Sequence, residues 1–369
     1  MCNTDNKKKI NIDIKKPFIP CGEEKCDANV VVKFENADDI VLTMPIPKKP
    51  DENDKFQNKM WETINRFEQE SWEYDKNILD SGFKSINNAL DGGIKPGFYI
   101  ISADSNVGKT ILISQLATQI ANNNSNAYVM DYSLDDAYDD KMARVIACNN
   151  KVIINAVKNP KKYEMYPKML VRRLQGLNYL RNNLDRYIIM DSSTTTDIET
   201  IRENIIKAKI DFDSKGIFKT IVVCIDSFHD LTSSANPNLQ DKAKYEYLAS
   251  YCADMAKEFN IPVICTAELK KLNGILRPFP DHIREATKIK YEAKCIMMCY
   301  SDVHYKGEGA EIYFERADKP EKQPIFEVHF AKNKLGSFKG RVFFESYPEI
   351  SRMEEVSAEK SKHFLALIK

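Results

Sequence analysis

The most chemically suggestive stretch of the sequence ends in the triplet Gly108-Lys109-Thr110. It follows an apolar run of strand length and opens a segment with helical spacing from about Ile111. In such a loop the backbone N–H groups wrap phosphates, the lysine adds a positive charge, and the threonine hydroxyl reaches a magnesium ion. The sequence therefore predicts a site for ATP and Mg²⁺. The residues expected to surround the nucleotide are Ala103, Asp104, Ser105, Asn106, Val107, Gly108, Lys109, Thr110 and Ile111.

A second candidate for metal chemistry is Asp226, which ends the apolar run 220–225. A buried strand that ends in an aspartate, downstream of a phosphate-binding loop, is typical of a carboxylate that holds Mg²⁺ through water. The pattern is weak when it stands alone, because many buried strands end in aspartate. Its position after the loop favours a metal site formed by Thr110 and Asp226.

These side chains need a scaffold that gathers strand ends, and the sequence beyond residue 81 predicts one. Its first apolar runs are continuous, as expected for strands buried on both faces of a parallel sheet covered by helices. Three later runs alternate and lie close together, which indicates an antiparallel extension. We therefore expect an α/β fold with a mainly parallel sheet, antiparallel edge strands and helices on both faces. The predicted strands are 98–102, 127–132, 187–190, 220–225, 262–267 and 295–300, then 311–314, 325–330 and 341–344.

Composition limits the class of protein. The 369 residues are 43% hydrophobic and 29% charged, which suits one large domain with appendages or two smaller domains. The sequence has no apolar run long enough to cross a membrane and no apolar signal segment near Met1. Cysteines within apolar runs fit a reducing cytoplasm. The net charge is zero, so any nucleic-acid site must be local or assembled from several subunits.

The first 80 residues have a different texture. A short hairpin is predicted from 30–34 and 40–44, followed by a proline-containing linker and a helix over about 54–76. That helix is either mostly solvated or a linker that docks on a neighbouring subunit. We divide the chain into a segment of unknown role (1–50), a linker helix (51–80), the main domain (81–350) and a tail (351–369). The apolar stripe of the helix comprises Phe56, Met60, Ile64 and Phe67.

Several segments of 81–350, taken together, resemble the C-terminal ATPase domain of DnaB-type replicative helicases. These belong to the RecA-like P-loop class. The order and spacing of the segments are more specific than any one of them. Gly92-Gly93-Ile94 is also similar to the RadA and KaiC branches of that class. The matching segments are Ser81-Gly82-Phe83, Lys95-Pro96-Gly97, the loop from Ala103, Ser133-Leu134-Asp135, Asp226-Ser227-Phe228, Ala267-Glu268-Leu269-Lys270-Lys271, Ile283-Arg284-Glu285 and Ala331-Lys332-Asn333-Lys334-Leu335-Gly336.

The resemblance implies catalytic roles in addition to that of Lys109. Asp135 would orient the attacking water, Glu268 would sense the γ-phosphate, and Lys332 and Lys334 would reach the nucleotide of a neighbouring subunit. The family has Glu, Gln and Arg where this chain has Asp135, Glu268 and Lys334, and the adjacent Asp136 could substitute for Asp135. An arginine finger contributes roughly 10³–10⁵ in rate, so a lysine in its place predicts slow hydrolysis.

The resemblance also implies that single-stranded DNA passes through a ring, with a hexamer as the expected assembly. Loops after Asp226 and around Arg284 would face the channel, and six copies would line it with positive charge. The alternative is that these are ordinary solvated side chains. The basic stretch 151–186 is interpreted first as an amphipathic solvated region and second as a DNA-binding face. The predicted nucleic-acid residues are Lys270, Lys271, Arg277, Arg284 and Glu285.

Three functions follow from these observations. The first is a cytoplasmic ATP-dependent DNA helicase that works as a homo-oligomeric ring on single-stranded DNA in replication, with a loader or primase as a candidate partner. The second is a regulatory or recombination ATPase like KaiC or RadA. The third is a nucleotide-binding scaffold or loader that barely turns over, which the residues at positions 135, 268 and 334 favour.

Overall fold

The computed structural model describes residues 8–13, 26–33, 40–46, 49–72, 77–271, 274 and 277–368. The chain forms two compact units, Met1–Asn77 and Ile78–Lys369. Each is described by itself. Within the described residues, no helix combines the length and the apolar character that a membrane crossing requires.

Unit 1 contains a three-stranded sheet of β1 (Lys8–Asp13), β2 (Cys26–Lys33) and β3 (Ile40–Ile46), and helix α1 (Lys55–Trp72). Strands β2 and β3 pair in antiparallel fashion, as the predicted hairpin requires, although its turn lies outside the described residues. Strand β1 pairs with β2 in parallel and was not predicted. The predicted stripe of α1 is solvent-exposed: Phe56 is 89% exposed and Phe67 is 69% exposed.

Unit 2 is built on a ten-stranded sheet. Its strands are β4 (Gly97–Ala103), β5 (Ala127–Ser133), β6 (Tyr187–Asp191), β7 (Thr220–Asp226), β8 (Pro262–Glu268), β9 (Cys295–Tyr300), β10 (Tyr313–Arg316), β11 (Lys319–Asn333), β12 (Arg341–Tyr347) and β13 (Arg352–Glu355). Six parallel strands lie in the order β9-β4-β8-β7-β5-β6. Beyond β9 the sheet continues through antiparallel strands: β11 pairs with β9, β10 and β12, and β12 pairs with β13. The predicted α/β fold is therefore confirmed.

Helices cover both faces of this sheet, because its central strands carry apolar side chains on both sides. They are α2 (Lys84–Ala89), α3 (Lys109–Asn123), α4 (Tyr138–Asn150), α5 (Ile154–Lys158), α6 (Pro167–Asn182), α7 (Ile198–Ser214), α8 (Asp241–Glu258), α9 (Ala286–Glu292), α10 (Asp302–Lys306) and α11 (Ala358–Leu367). One core gathers α2, α3 and Val145 of α4, and the other gathers α7, α8 and α9. Strand β13 and helix α11 lie in the range that the sequence analysis treats as a tail.

The strand order decides which loops meet. In a parallel sheet every strand presents its carboxyl end at the same edge, and ligands of α/β proteins bind at that edge. Ala103, Ser133, Asp226 and Glu268 end the adjacent or near-adjacent strands β4, β5, β7 and β8. The predicted site residues, far apart in sequence, therefore converge.

Candidate nucleotide site

The loop predicted to bind phosphate connects β4 to α3, and its conformation depends on Gly108. This residue has φ of 128°, in the region that favours glycine. A Cβ here would lie 3.2 Å from Met353 Cε and from the Phe326 ring. Lys109 begins α3, and its ammonium donates to the carbonyls of Ala103 (3.0 Å) and Asp104 (3.1 Å). The lysine is thus held across the mouth of its own loop, where a phosphate would compete with the two carbonyls.

A cavity of about 350 Å³ opens above this loop. It combines a cation, a hydroxyl and several carboxylates, which is a donor set suited to a triphosphate with a divalent cation. Burial lowers the pKa of Lys109, and the nearby carboxylates of Asp226 and Glu268 oppose this shift. The cavity is lined by Ser105, Asn106, Gly108, Lys109, Thr110, Ile111, Asp135, Asp136, Arg144, Asp226, Ser227, Glu268 and Pro348.

Asp226 has one carboxylate oxygen engaged and one unengaged. Its Oδ1 accepts a hydrogen bond from Thr266 Oγ1 at 2.5 Å, which orients the carboxylate. Its Oδ2 is buried and has no hydrogen-bond partner among the described residues. A buried carboxylate oxygen without a partner is costly unless a ligand completes it. The residues present therefore fit a magnesium site shared by Thr110 and Asp226.

The two neighbouring acids Asp135 and Asp136 differ in their surroundings. Arg144 donates from Nε to Asp136 Oδ2 at 2.8 Å, so Asp136 is already neutralised by an ion pair. The pKa of Asp135 is raised, first by partial burial and then by the charges of Asp230 and Asp226. A carboxylate with a raised pKa is the better candidate to orient a water and accept its proton.

Replacing Asp135 with Asn should therefore lower the rate of ATP hydrolysis by about 10²-fold or more, as loss of a general base does. The matched variant Asp136→Asn should change the rate by less than about tenfold, because its carboxylate serves the ion pair with Arg144. Single-turnover hydrolysis with prebound ATP measures both. Equal losses in the two variants would show that the base cannot be assigned to Asp135.

Glu268 lines the cavity from the end of β8 and also contacts the loop predicted to bind DNA. Its Oε2 lies 3.3 Å from Arg284 Nη1, and its carbonyl accepts the Arg284 N–H at 2.9 Å. Lys270 N–H donates to the His282 carbonyl at 2.9 Å, so the two segments form a short antiparallel ladder. Glu285 follows in the left-handed conformation, with φ of 51°.

The remaining predicted residues lie outside the cavity lining. Lys332 donates to the carbonyls of Lys290 and Tyr291, and the pKa of Lys332 is lowered, first by burial. Lys334 is exposed, and so is Lys271. Within one chain, the cavity therefore does not include the two lysines predicted to act between subunits.

Arg277 is engaged elsewhere than predicted. Its Nε lies 3.0 Å from the buried carboxylate of Glu327, which Arg341 also contacts at 2.6 Å. The guanidinium stacks over the Tyr300 ring at 4.8 Å. A phosphate that contacted Arg277 would have to compete with a partly buried ion pair.

The basic stretch 151–186 forms α5, a short 3₁₀ turn and α6. Several of its cations serve local structure: Arg172 donates to the Lys151 carbonyl, Arg173 donates to the Val157 carbonyl, and Lys158 pairs with Asp140. These contacts favour the amphipathic interpretation of the stretch over a DNA-binding face.

Sequence reasoning missed four side chains that shape the site. Thr266 and Arg144 orient carboxylates at the cavity, while Lys141 and Asp131 form a buried ion pair at 3.0 Å with neither side chain exposed. The signal for Asp131 was present, since it is an ionisable residue within the apolar run 127–132. Its partner could not be read from the sequence.

The parallel centre, the antiparallel extension and the loop positions define a RecA-like α/β fold. One solved ATPase domain of a DnaB-like helicase is similar, with a TM-score of 0.66 and 19% identity over 83% of this chain and 100% of that chain. A DnaB-like replicative helicase, solved in a study of its interactions with primase, gives a TM-score of 0.65 and 20% identity over 80% of this chain and 66% of that chain.

Residues 79–355 match the model of the DnaB-like helicase C terminal domain. The chain belongs to this family of NTP-hydrolysing helicases. No curated protein matches the chain.

Proposed function

We propose that this protein is an ATP-hydrolysing motor that moves along single-stranded DNA as a ring of identical subunits in replication. The observation that carries the proposal is the cavity at the carboxyl edge of the sheet, where Lys109, Thr110, Asp135, Asp226 and Glu268 converge. Membership in the DnaB-like family supplies the class of reaction.

Each residue has a role that follows from its position. Lys109 leaves the carbonyls of Ala103 and Asp104 to bind the β- and γ-phosphates. Thr110 and Asp226 would hold Mg²⁺, which neutralises charge on the phosphate oxygens when bound. Asp135 orients the attacking water and accepts its proton. The chain's own contribution is placement of these groups before the nucleotide arrives, which lowers the cost of the transition state.

A second subunit completes the proposed site. Lys332 and Lys334 do not line the cavity of their own chain, so their proposed role is to approach the nucleotide of a neighbour. The exposed apolar stripe of α1 gives each subunit a surface that is suited to packing on another copy. We infer that subunits associate through these features and that the closed ring is a hexamer.

DNA contact is assigned to the loop that carries Arg284 and Glu285. Arg284 is half exposed at the rim of the ladder with β8, with Lys270 and Lys271 on the opposite segment. Repetition of this loop around a ring would line a channel with cations, although the chain has zero net charge. A primase or a loader is a further proposed partner, as primase is for the structurally similar replicative helicase.

Steady-state ATP hydrolysis with and without single-stranded DNA tests the proposal. We expect DNA to raise turnover severalfold, and we expect Lys109→Ala to abolish both the basal and the stimulated rates because the phosphates lose the lysine of the cavity lining. Lys270→Ala is the matched control, since it removes a lysine outside that lining and should keep the basal rate. Turnover that is indifferent to DNA would favour a regulatory ATPase of the KaiC or RadA kind.

The slow-turnover scaffold is the second candidate, and one observation favours it. The cavity holds a carboxylate at Glu268, and this negative charge faces the space where a γ-phosphate would lie. Tight ATP binding without single-turnover hydrolysis in the assembled ring would replace the motor by the scaffold.

A further inference from the structure

We propose that the ion pair between Glu268 and Arg284 is a latch through which nucleotide and single-stranded DNA compete for one guanidinium. The inference rests on the proposed function, because it assumes that the cavity binds ATP and that Arg284 contacts DNA phosphates. It goes beyond that function by naming the contact that couples the two sites and the sign of its contribution.

The first step is that one side-chain pair belongs to both sites. Glu268 lines the cavity, and its charge acts on the ammonium of Lys109. Arg284 is half exposed at 50%, and its Nη1 lies 3.3 Å from Glu268 Oε2. The guanidinium therefore bridges the nucleotide cavity and the surface proposed to face DNA.

The second step is that the backbone around this pair is held firmly in place. The Arg284 N–H donates to the Glu268 carbonyl at 2.9 Å. The His229 ring lies between the two segments: its Nδ1 accepts the Glu268 N–H, and its Nε2 contacts the Arg284 carbonyl, both at 3.2 Å. Tyr245 packs edge-on against His229 at 4.9 Å, with the Arg284 guanidinium over its ring. Since the backbone is fixed, exchange of partners must occur in the two side chains.

The third step is electrostatic. A triphosphate in the cavity places negative charge beside Glu268, and this raises the benefit of keeping Arg284 on that carboxylate. A DNA phosphate on the loop draws Arg284 the other way and leaves the Glu268 charge uncompensated beside the nucleotide. Each ligand therefore weakens the other through this pair, and by linkage the two effects are equal in size.

The test measures the dissociation constant of a fluorescent oligo-dT with and without the Mg²⁺ complex of AMP-PNP, at a protein concentration where light scattering shows one oligomeric state. The quantity of interest is the ratio of the two constants, nucleotide-bound over nucleotide-free. In Glu268→Gln, which keeps the shape and removes the charge, we expect this ratio to fall by about two- to fivefold, the range that exposed ion pairs support. Oligo-dT should also bind more tightly without nucleotide, because Arg284 is released.

The control is Glu258→Gln, which breaks a pair of similar exposure between Arg202 and Glu258 on α7 and α8. It should leave the ratio at the wild-type value. An unchanged or higher ratio in Glu268→Gln, with normal binding of both ligands by the wild type, would overturn the latch and leave the motor intact. A wild type that binds no oligo-dT would overturn the proposed function itself.

Discussion

Replacing Asp226 with Ala is expected to reduce the rate of ATP hydrolysis by about 10²–10³-fold, since a catalytic metal supplies several kcal/mol and each 1.36 kcal/mol is tenfold in rate. The carboxylate is buried, its Oδ1 is held by Thr266 at 2.5 Å, and its Oδ2 is the unpartnered oxygen, among the described residues, that is proposed for Mg²⁺. Hydrolysis measured across a titration of MgCl₂ checks the result. Full activity in this variant would show that the metal site lies elsewhere.

Two companion variants separate metal binding from local packing. Asp226→Asn keeps an oxygen to accept the hydrogen bond from Thr266 but loses the charge, so it should be nearly as inactive as the alanine variant. Thr266→Val keeps the carboxylate and removes only its orienting hydroxyl, so it should lose about tenfold or less, in line with a single hydrogen bond of about 1 kcal/mol. Far-UV circular dichroism confirms that each variant is folded.

Replacing Lys141 with Met is expected to destabilise unit 2 by about 3–5 kcal/mol, the cost of leaving one buried charge without its partner. The Lys141 ammonium lies 3.0 Å from Asp131 Oδ1, and both side chains have no exposed surface. Burial opposes the charged form of Lys141, but Asp131 keeps its pKa above the ordinary value. The carboxylate left behind in the variant still accepts the Tyr187 hydroxyl at 2.6 Å, which compensates little of its charge.

Urea unfolding followed by far-UV circular dichroism gives the free energy of unfolding. Tryptophan fluorescence would report on the wrong unit, because both tryptophans, Trp61 and Trp72, belong to unit 1. The double variant Lys141→Met with Asp131→Leu should recover most of the stability, since apolar replacement of a buried pair is often neutral. The triple variant with Tyr187→Phe should recover about 1 kcal/mol more, because it removes the stranded hydroxyl. A single variant as stable as wild type would mean that water already reaches the pair.

The outcome for Asp131 and Lys141 shows where sequence reasoning reaches its limit. Asp131 stands two residues before Ser133 on β5, and Lys141 follows on α4. Nothing in the spacing of these residues says that the helix returns over its own strand with the lysine facing inward. Burial of both charges is a property of the packed helix and sheet, and only tertiary structure contains it.

The N-terminal unit shows a different limit. The hairpin of β2 and β3 was predictable, because the two strands are close in sequence and joined by polar residues. The parallel pairing of β1 with β2 was not predictable, because parallel strands need a crossover and leave no local signal.

The sequence by itself determined the class of fold, the order of its strands along the chain and the chemical identity of the site residues. These follow from local patterns: continuous apolar runs, a Gly-Lys-Thr loop between strand and helix, and acids at strand ends. The tertiary structure alone decided which of these residues share an environment. Among the described residues it paired Asp136 with Arg144, left Asp226 Oδ2 without a partner and joined Glu268 to Arg284. The physical reason is that charge and hydrogen-bond energies depend on distances across the sheet, which sequence separation does not encode.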